Sequence, residues 1–327
     1  MVFKTSFLLT IINLVIEYLY GDFMTEREYK EKLKNKLIEY RNSLNLPSDV
    51  TFGIEIEYEN INTNDVSELL NKEKLENNHC FGWQNKAEID ILEYDKNEEK
   101  MNGEIISPIL KDRNRTWNNI ETILDILNNN GGIVTEKCGA HVNIGAHILG
   151  TKVKHWKNFL LLWMLYEKEI YQFSSGEFIK VRADINKILE RISLELNIDD
   201  ITKLRRKMNL KNLDDSIFSK CSDIRITKNF NKNISINNVI EFRIPNGTLN
   251  KEIWQNYINF FARFVLACRK DLDIEKMSYK FSHNDHNIMD LANLIFKEEI
   301  DKEYFLIQAL KTNHQYKKQL IKHKIYY

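Results

Sequence analysis

Hydrophobic and polar positions repeat with two different periods along this chain, and the switches between them mark out its elements. Residues 25–44 carry Leu33, Leu37 and Tyr40 at helical spacing on a charged background, with Pro47 beyond, and predict a helix. The period then drops to two. Phe52-Gly53-Ile54-Glu55-Ile56-Glu57-Tyr58 alternates strictly and predicts a strand. A short helix is expected over 65–73. Residues 86–93 alternate again, Asn102-Gly103 is a turn signal, and Glu104-Ile105-Ile106-Ser107-Pro108 follows, so 83–108 reads as a hairpin. A helix over 115–129 ends at Gly131-Gly132, a pair suited to a helix C-terminus. Residues 138–145 (CGAHVNIG) alternate as a strand, 152–173 read as an apolar helix and 179–209 as two amphipathic helices. Strand patterns return at 223–229 and 238–245, and helices fill 250–270, 286–298 and 301–312.

This order predicts an α+β protein: an antiparallel sheet, helices packed behind it, and extra helices at the N- and C-terminal ends. The expected divisions are an apolar segment over 1–23, a helix over 24–46, a main domain over 47–272 and a helical extension over 273–327. Phe7–Tyr20 is apolar except for Thr10, Asn13 and Glu17, and Lys4 precedes it, so the segment faintly resembles a signal peptide. It falls short of the roughly 20 residues of a membrane span. No small-residue cleavage site follows, and Met24 opens the first helical stretch. The segment is read as a mis-assigned start or an N-terminal helix rather than an anchor. A cytoplasmic protein without stable membrane association is expected.

Composition narrows the classes. The 327 residues balance 47 Lys+Arg against 47 Asp+Glu, which argues against a nucleic-acid binder. Hydrophobic residues at 43% support a large core, and only 3 Pro and 11 Gly exclude linker-like and collagen-like chains. The four cysteines, Cys80, Cys138, Cys221 and Cys268, form no CxxC pair and read as reduced thiols. Abundant Asn, Lys and Ile fit an AT-rich bacterial or phage coding bias. Trp83, Trp117, Trp156, Trp163 and Trp254 read as core aromatics, and His79, His147 and His155 as surface or satisfied histidines. No GxSxG, GxxxxGK[ST] or HExxH occurs.

Alternation then assigns chemistry to faces, because residues i and i+2 of a strand share one. Phe52, Ile54, Ile56 and Tyr58 go to one side; Glu55 and Glu57 go to the other. Glu104, Asp90, His141, Asn143, Glu241 and Arg243 fall on corresponding polar faces of their own strands. In one shared sheet, Glu55, Glu57, Asp90, Glu104, His141 and Glu241 would gather around Arg243. Such a cluster repels itself unless positive charge sits among it, and hard divalent ions suit it. The bland alternative is a solvated sheet face. Glutamates at Glu55 and Glu57 with no alternating lysine weigh against that, since Glu is depleted in strands.

The stretches FGIEIEYE at 52–59, NGEIISPIL at 102–110, GGIVTEKCGAHVNIG at 131–145 and IEFRIPNGTLN at 240–250 together resemble the amidoligase family. That family is a branch of the glutamine synthetase and glutamate–cysteine ligase fold. The resemblance covers roughly residues 50–270. It implies a curved antiparallel sheet with the active site on its concave face, and ATP-dependent joining of a carboxylate to an amine through an acyl phosphate. The implied cofactors are ATP and Mg²⁺ or Mn²⁺; the implied partners are small-molecule or peptide substrates. It implies that Glu55 and Glu57 are the paired metal-binding glutamates and that Glu104, His141 and Glu241 complete the metal set. Arg243 is implied to meet substrate or transferred phosphate. Members often read His-Val-His where this chain has Asn143 at the second position. Arg182 and Arg225 are candidates to reach phosphates from flanking segments, and Glu59 and Asp90 are candidates for the base. Two other readings stay open: a guanidino-kinase-like phosphotransferase of the same fold, and an inactive nucleotide- or metal-binding protein.

Overall fold

Strict alternation in residues 52–58 is what a strand needs when one face is buried and the other polar. The structure, a computed structural model, describes residues 33, 36–76, 81–87, 101–135, 137–174, 224–226, 238–283 and 287–322. Met1–Leu37 and Ile38–Tyr327 form separate compact units, and every element named below belongs to the second. Strand β1 (Phe52–Glu59) lies inside an open sheet, pairing with β3 (Asn102–Ile106) on one side and β4 (Ala140–Gly145) on the other. β3 also pairs with β2 (Gln84–Lys86), β4 with β6 (Val239–Phe242), and β6 with β5 (Ile224–Ile226). All pairings are antiparallel, in the order β2-β3-β1-β4-β6-β5.

The helices are α1 (Thr63–Glu76), α2 (Asn114–Asn129), α3 (Val153–Ser174), α4 (Lys251–Ala267), α5 (Ile274–Ser282), α6 (Ile288–Ile295) and α7 (Glu299–Lys322). Helices α2, α3 and α4 cover the apolar face of the sheet. Phe52 stacks on Trp117 of α2 at 5.6 Å, and Phe242 lies 4.2 Å from Phe261 of α4 and 5.8 Å from Trp163 of α3. Phe305 of α7 then packs 5.1 Å from Phe260 of α4 and 4.8 Å from Phe173 of α3. Ile54, Ile56, Ile105, Val142, Ile144, Ile240 and Phe242 are all buried. Each such side chain removed from water contributes about 1.5–3 kcal/mol before entropy is counted. The five tryptophans are buried as expected. His147 Nε2 and His155 Nδ1 lie 2.8 Å from the carbonyls of Asp49 and Leu149, while His147 Nδ1 is buried without a hydrogen-bond partner, and His79 lies outside the described residues.

The structure corrects two expectations. The helix expected over 25–44 does not run through 36–44, which has no regular structure. Its backbone groups find side chains instead. The Asp112 carboxylate accepts from the amides of Leu44 and Leu46, and Gln255 accepts from Arg41 N while donating to its carbonyl. Asn45 has φ 54, a left-handed conformation that ends any helix there. Second, Asn102-Gly103 is not a turn. Both residues lie inside β3, where Gly103 faces Tyr58, and a Cβ on it would meet Tyr58 Oη at 2.5 Å and Lys86 O at 2.8 Å. Glycine stands there for close approach. β2 and β3 do pair as the expected hairpin would, and residues 88–100 between them lie outside the described residues. Helix α5 falls within the helical extension expected over 273–327. The helices expected over 179–209 lie outside the described residues. No helix among the described residues is long and apolar enough to cross a membrane.

Candidate functional site

Register carries the polar alternation of each strand into one surface. Partners across an antiparallel pair share a face. Glu57 is opposite Glu104, Glu55 is opposite both Ile106 and His141, and Asn143 is opposite Glu241. Gly53, Glu55, Glu57 and Glu59 therefore form one row on β1, flanked by Glu104 on one side and by His141 and Asn143 on the other. Arg243, just past the end of β6, continues the face.

The side chains meet. His141 Nδ1 lies 3.0 Å from Glu55 Oε2 and 3.9 Å from Glu241 Oε1, and its Nε2 lies 3.3 Å from Glu57 Oε1. That last contact is one of charge and proximity only, since Nε2 is buried without a hydrogen-bond partner. Asn143 Nδ2 donates to Glu55 Oε1 at 2.9 Å. Glu55, Glu104 and His141 each bring a ligand atom within 4.8 Å of the others. Arg243 Nη1 donates to Glu241 Oε1 and approaches His141 Nδ1 at 3.4 Å. The amide of Gly139 donates to Glu57 Oε2.

Burial decides between this cluster and a solvated face. Glu57, His141 and Glu241 are only 6%, 2% and 7% exposed. Polar groups on the free side of a wet sheet would be largely open to water. Carboxylates crowded at low exposure are costly unless matched by positive charge and hydrogen bonds.

The electrostatics follow from the same contacts. Burial works to raise the Glu55 carboxyl, but its hydrogen bond and charge contact with His141, joined by Asn143 and Glu104, hold it down at about 2. Burial works to lower the Arg243 guanidinium, and Glu241, Glu55 and Glu57 outweigh it and raise it further. Arg243 thus stays charged whatever the pH. Burial pushes the Cys138 thiol up to about 12, which makes it a protonated donor rather than a nucleophile.

Glu55, Glu57, Glu104, His141, Asn143, Glu241 and Arg243 are thus all brought to one face. Asp90 and Arg182 lie outside the described residues. Arg225 is the register partner of Glu241 on β5. Glu59 shares the row but points its carboxylate into a hydrogen-bonded pair with Thr135 and Cys138, at 2.5 Å and 3.4 Å. The Gly139 amide and the Thr135 hydroxyl were not among the candidates drawn from sequence. A backbone donor has no residue signature, and Thr135 lies in a loop without periodicity.

The carboxylates of Glu55 and Glu104 and the imidazole of His141 form a group that could hold a metal ion, the two carboxylates being the part that suits hard divalent ions. Fold and site together define a mixed α and β protein with a carboxylate-lined site on an open antiparallel sheet. The chain belongs to the family described as putative amidoligase enzyme, whose sequence profile matches residues 48–265, from just before β1 into the last turn of α4. Membership places it among ligase-type enzymes. No curated protein matches the chain.

Proposed function

We propose that this protein is an ATP-dependent carboxylate–amine ligase that forms an amide or isopeptide bond on an amino acid or peptide. The observation that carries the reading is the convergence of Glu55, Glu57, Glu104 and Glu241 on the buried His141, with Arg243 beside them. The sheet is read as curved, with this face concave, and the protein as acting in the cytoplasm.

A carboxylate is a poor electrophile. In the proposed reaction its oxygen attacks the γ-phosphorus of ATP, the new O–P bond forms, the β–γ bridging bond breaks and ADP leaves. The amine nitrogen then attacks the acyl carbon. A C–N bond forms, the C–O bond to phosphate breaks, and the nitrogen gives up a proton to a base. Glu55, Glu57, Glu104, His141 and Glu241 would hold the metal, which neutralises phosphate oxygens when bound. Arg243 keeps its charge and its fork geometry, so it can grip the transferred phosphate or the substrate carboxylate with two donors. Its Nη1 is held by Glu241. Asn143 and His141 hold both oxygens of Glu55 and keep the carboxylate ionised. The burial of Glu57, His141 and Glu241 limits water at that part of the face.

The test is ADP and phosphate release by the full-length protein with ATP, Mg²⁺ and a pool of amino acids and short peptides. Release that depends on the pool, and a product lighter by one water than its two reactants, is the expected result. Release should fall below detection in Glu55→Gln and Glu241→Gln. Binding of neither ATP nor Mg²⁺ by calorimetry would overturn the reading.

A further inference from the structure

The last glutamate of the β1 row differs from the others in what it touches. Glu59 is 6% exposed and lies on the same face as Glu55 and Glu57. Its carboxylate turns toward the loop before β4. Oε1 accepts from Thr135 Oγ1 at 2.5 Å and from Cys138 Sγ at 3.4 Å. Its backbone is tied to the same loop, with Glu59 N to Ile133 O at 2.9 Å and Ile133 N to Glu59 O at 3.0 Å. Thr135 in turn organises a tight turn, accepting from Lys137 N on its hydroxyl and from Cys138 N on its carbonyl. The next amide, Gly139 N, donates to Glu57. The far side of the loop is closed by the segment after β6: Gly247 N donates to Cys138 O at 3.1 Å and Ala140 N to Pro245 O at 3.0 Å. A Cβ on Gly247 would meet Cys138 Cβ at 2.6 Å, so that closure needs glycine.

We infer that Glu59 is a positioning residue: through Thr135 and Cys138 it pins the 135–139 loop so that the Gly139 amide holds Glu57 in place for the metal site. The inference rests on the metal-site reading above. It also gives Glu59 a role other than that of the base, since its Oε1 already accepts from both Thr135 and Cys138. A ligating carboxylate that is itself hydrogen-bonded keeps one orientation. Losing such a supporting contact costs about 10–100-fold in metal affinity. Cys138 belongs to the pin as a buried donor, which gives this thiol a role that does not require reactivity.

The test uses the full-length protein and two readouts. Mn²⁺ binding, followed by loss of the free-ion paramagnetic resonance signal, reports the metal site. Hydrogen exchange at the Gly139 amide reports the pin without any metal. Glu59→Ala and Thr135→Val should weaken Mn²⁺ binding about tenfold or more and speed exchange at Gly139. Glu59→Gln keeps an acceptor for both donors, and Thr135→Ser keeps the hydroxyl, so each should recover most of the Mn²⁺ affinity. Glu59→Gln behaving as badly as Glu59→Ala would make Glu59 a ligand or base and overturn the inference. So would unchanged Gly139 exchange in Glu59→Ala and Thr135→Val. If Glu59→Ala does not fold, the Thr135 pair decides in the same way. Failure of the unsubstituted protein to bind Mn²⁺ would sink the metal-site reading instead, while the exchange readout still tests the pin.

Discussion

At the scale of single residues, the site is a problem of opposed charges in a partly buried place. Glu55 shows how it is solved: burial works to raise its carboxyl, and His141, Asn143 and Glu104 more than offset that. The folded value of about 2 lies below the ordinary 4.5. A depressed carboxyl adds stability that is complete above the unfolded value and lost as pH falls from 4.5 through about 2. The protein without added divalent ions should therefore lose stability across that window, by at most about 3–4 kcal/mol from this group. Urea titrations at the two ends of the window check it. Glu55→Gln should show a smaller acid-induced loss than the unsubstituted chain, and an equal loss would refute the assignment. The pairing of Glu55 with Glu57 was legible from alternation alone. That Asn143 would grip Glu55 was not, because a side chain on β4 reaches β1 only once the register is set.

At the scale of elements, β3 shows how the same residues carry two local meanings. Asn-Gly flanked by alternating residues is a strong hairpin signal. Here it sits inside a strand because the side chain of Tyr58 fills the space over Gly103 and donates to Asn85 across the sheet. Gly103→Ala should destabilise the protein by about 1–3 kcal/mol, as overpacking does. It should also loosen β2 at the sheet edge, since the added carbon would meet Lys86 O. Denaturant midpoints measure the first effect and amide exchange in β2 the second; a neutral substitution would mean that Tyr58 moves freely. Local pattern overstated the N-terminal helix for a related reason. Residues 38–46 are captured by side chains of distant elements, Asp112 and Gln255, which offer their amides a better partner than a helical turn.

At the scale of the unit from Ile38 to Tyr327, helices distant in sequence are tied to the sheet domain by charge as well as by rings. Asp301 of α7 is 1% exposed. It lies 2.7 Å from Arg41 and 3.0 Å from Arg263 of α4, the second as a charge contact without hydrogen-bond alignment. Removing one partner of a buried pair leaves charge uncompensated. Asp301→Ala should cost about 3–5 kcal/mol by denaturant unfolding, with the circular dichroism of the folded state retained. A loss below about 1 kcal/mol would show that the two arginines find other partners or water. Nothing in the local pattern of 301–312 singles Asp301 out from the other acidic residues of that helix, because its partners lie 260 and 38 residues away.

What the sequence determined by itself was periodicity and its chemical content. Alternation placed Glu55 with Glu57, His141 with Asn143 and Glu241 with Arg243 on the polar faces of their strands, and the apolar positions opposite named the core. Side-chain direction in a strand is a local property, so no partner is needed to read it. Tertiary structure decided which strands are neighbours and in what register, and hence that His141 sits between Glu55, Glu57 and Glu241. It also decided that Glu57, His141 and Glu241 are buried on this face, that Asn102-Gly103 is strand rather than turn, and that Glu59 meets a loop. Each of those depends on atoms brought together across long stretches of chain, and hydrogen bonding and burial between such atoms have no signature within any one segment.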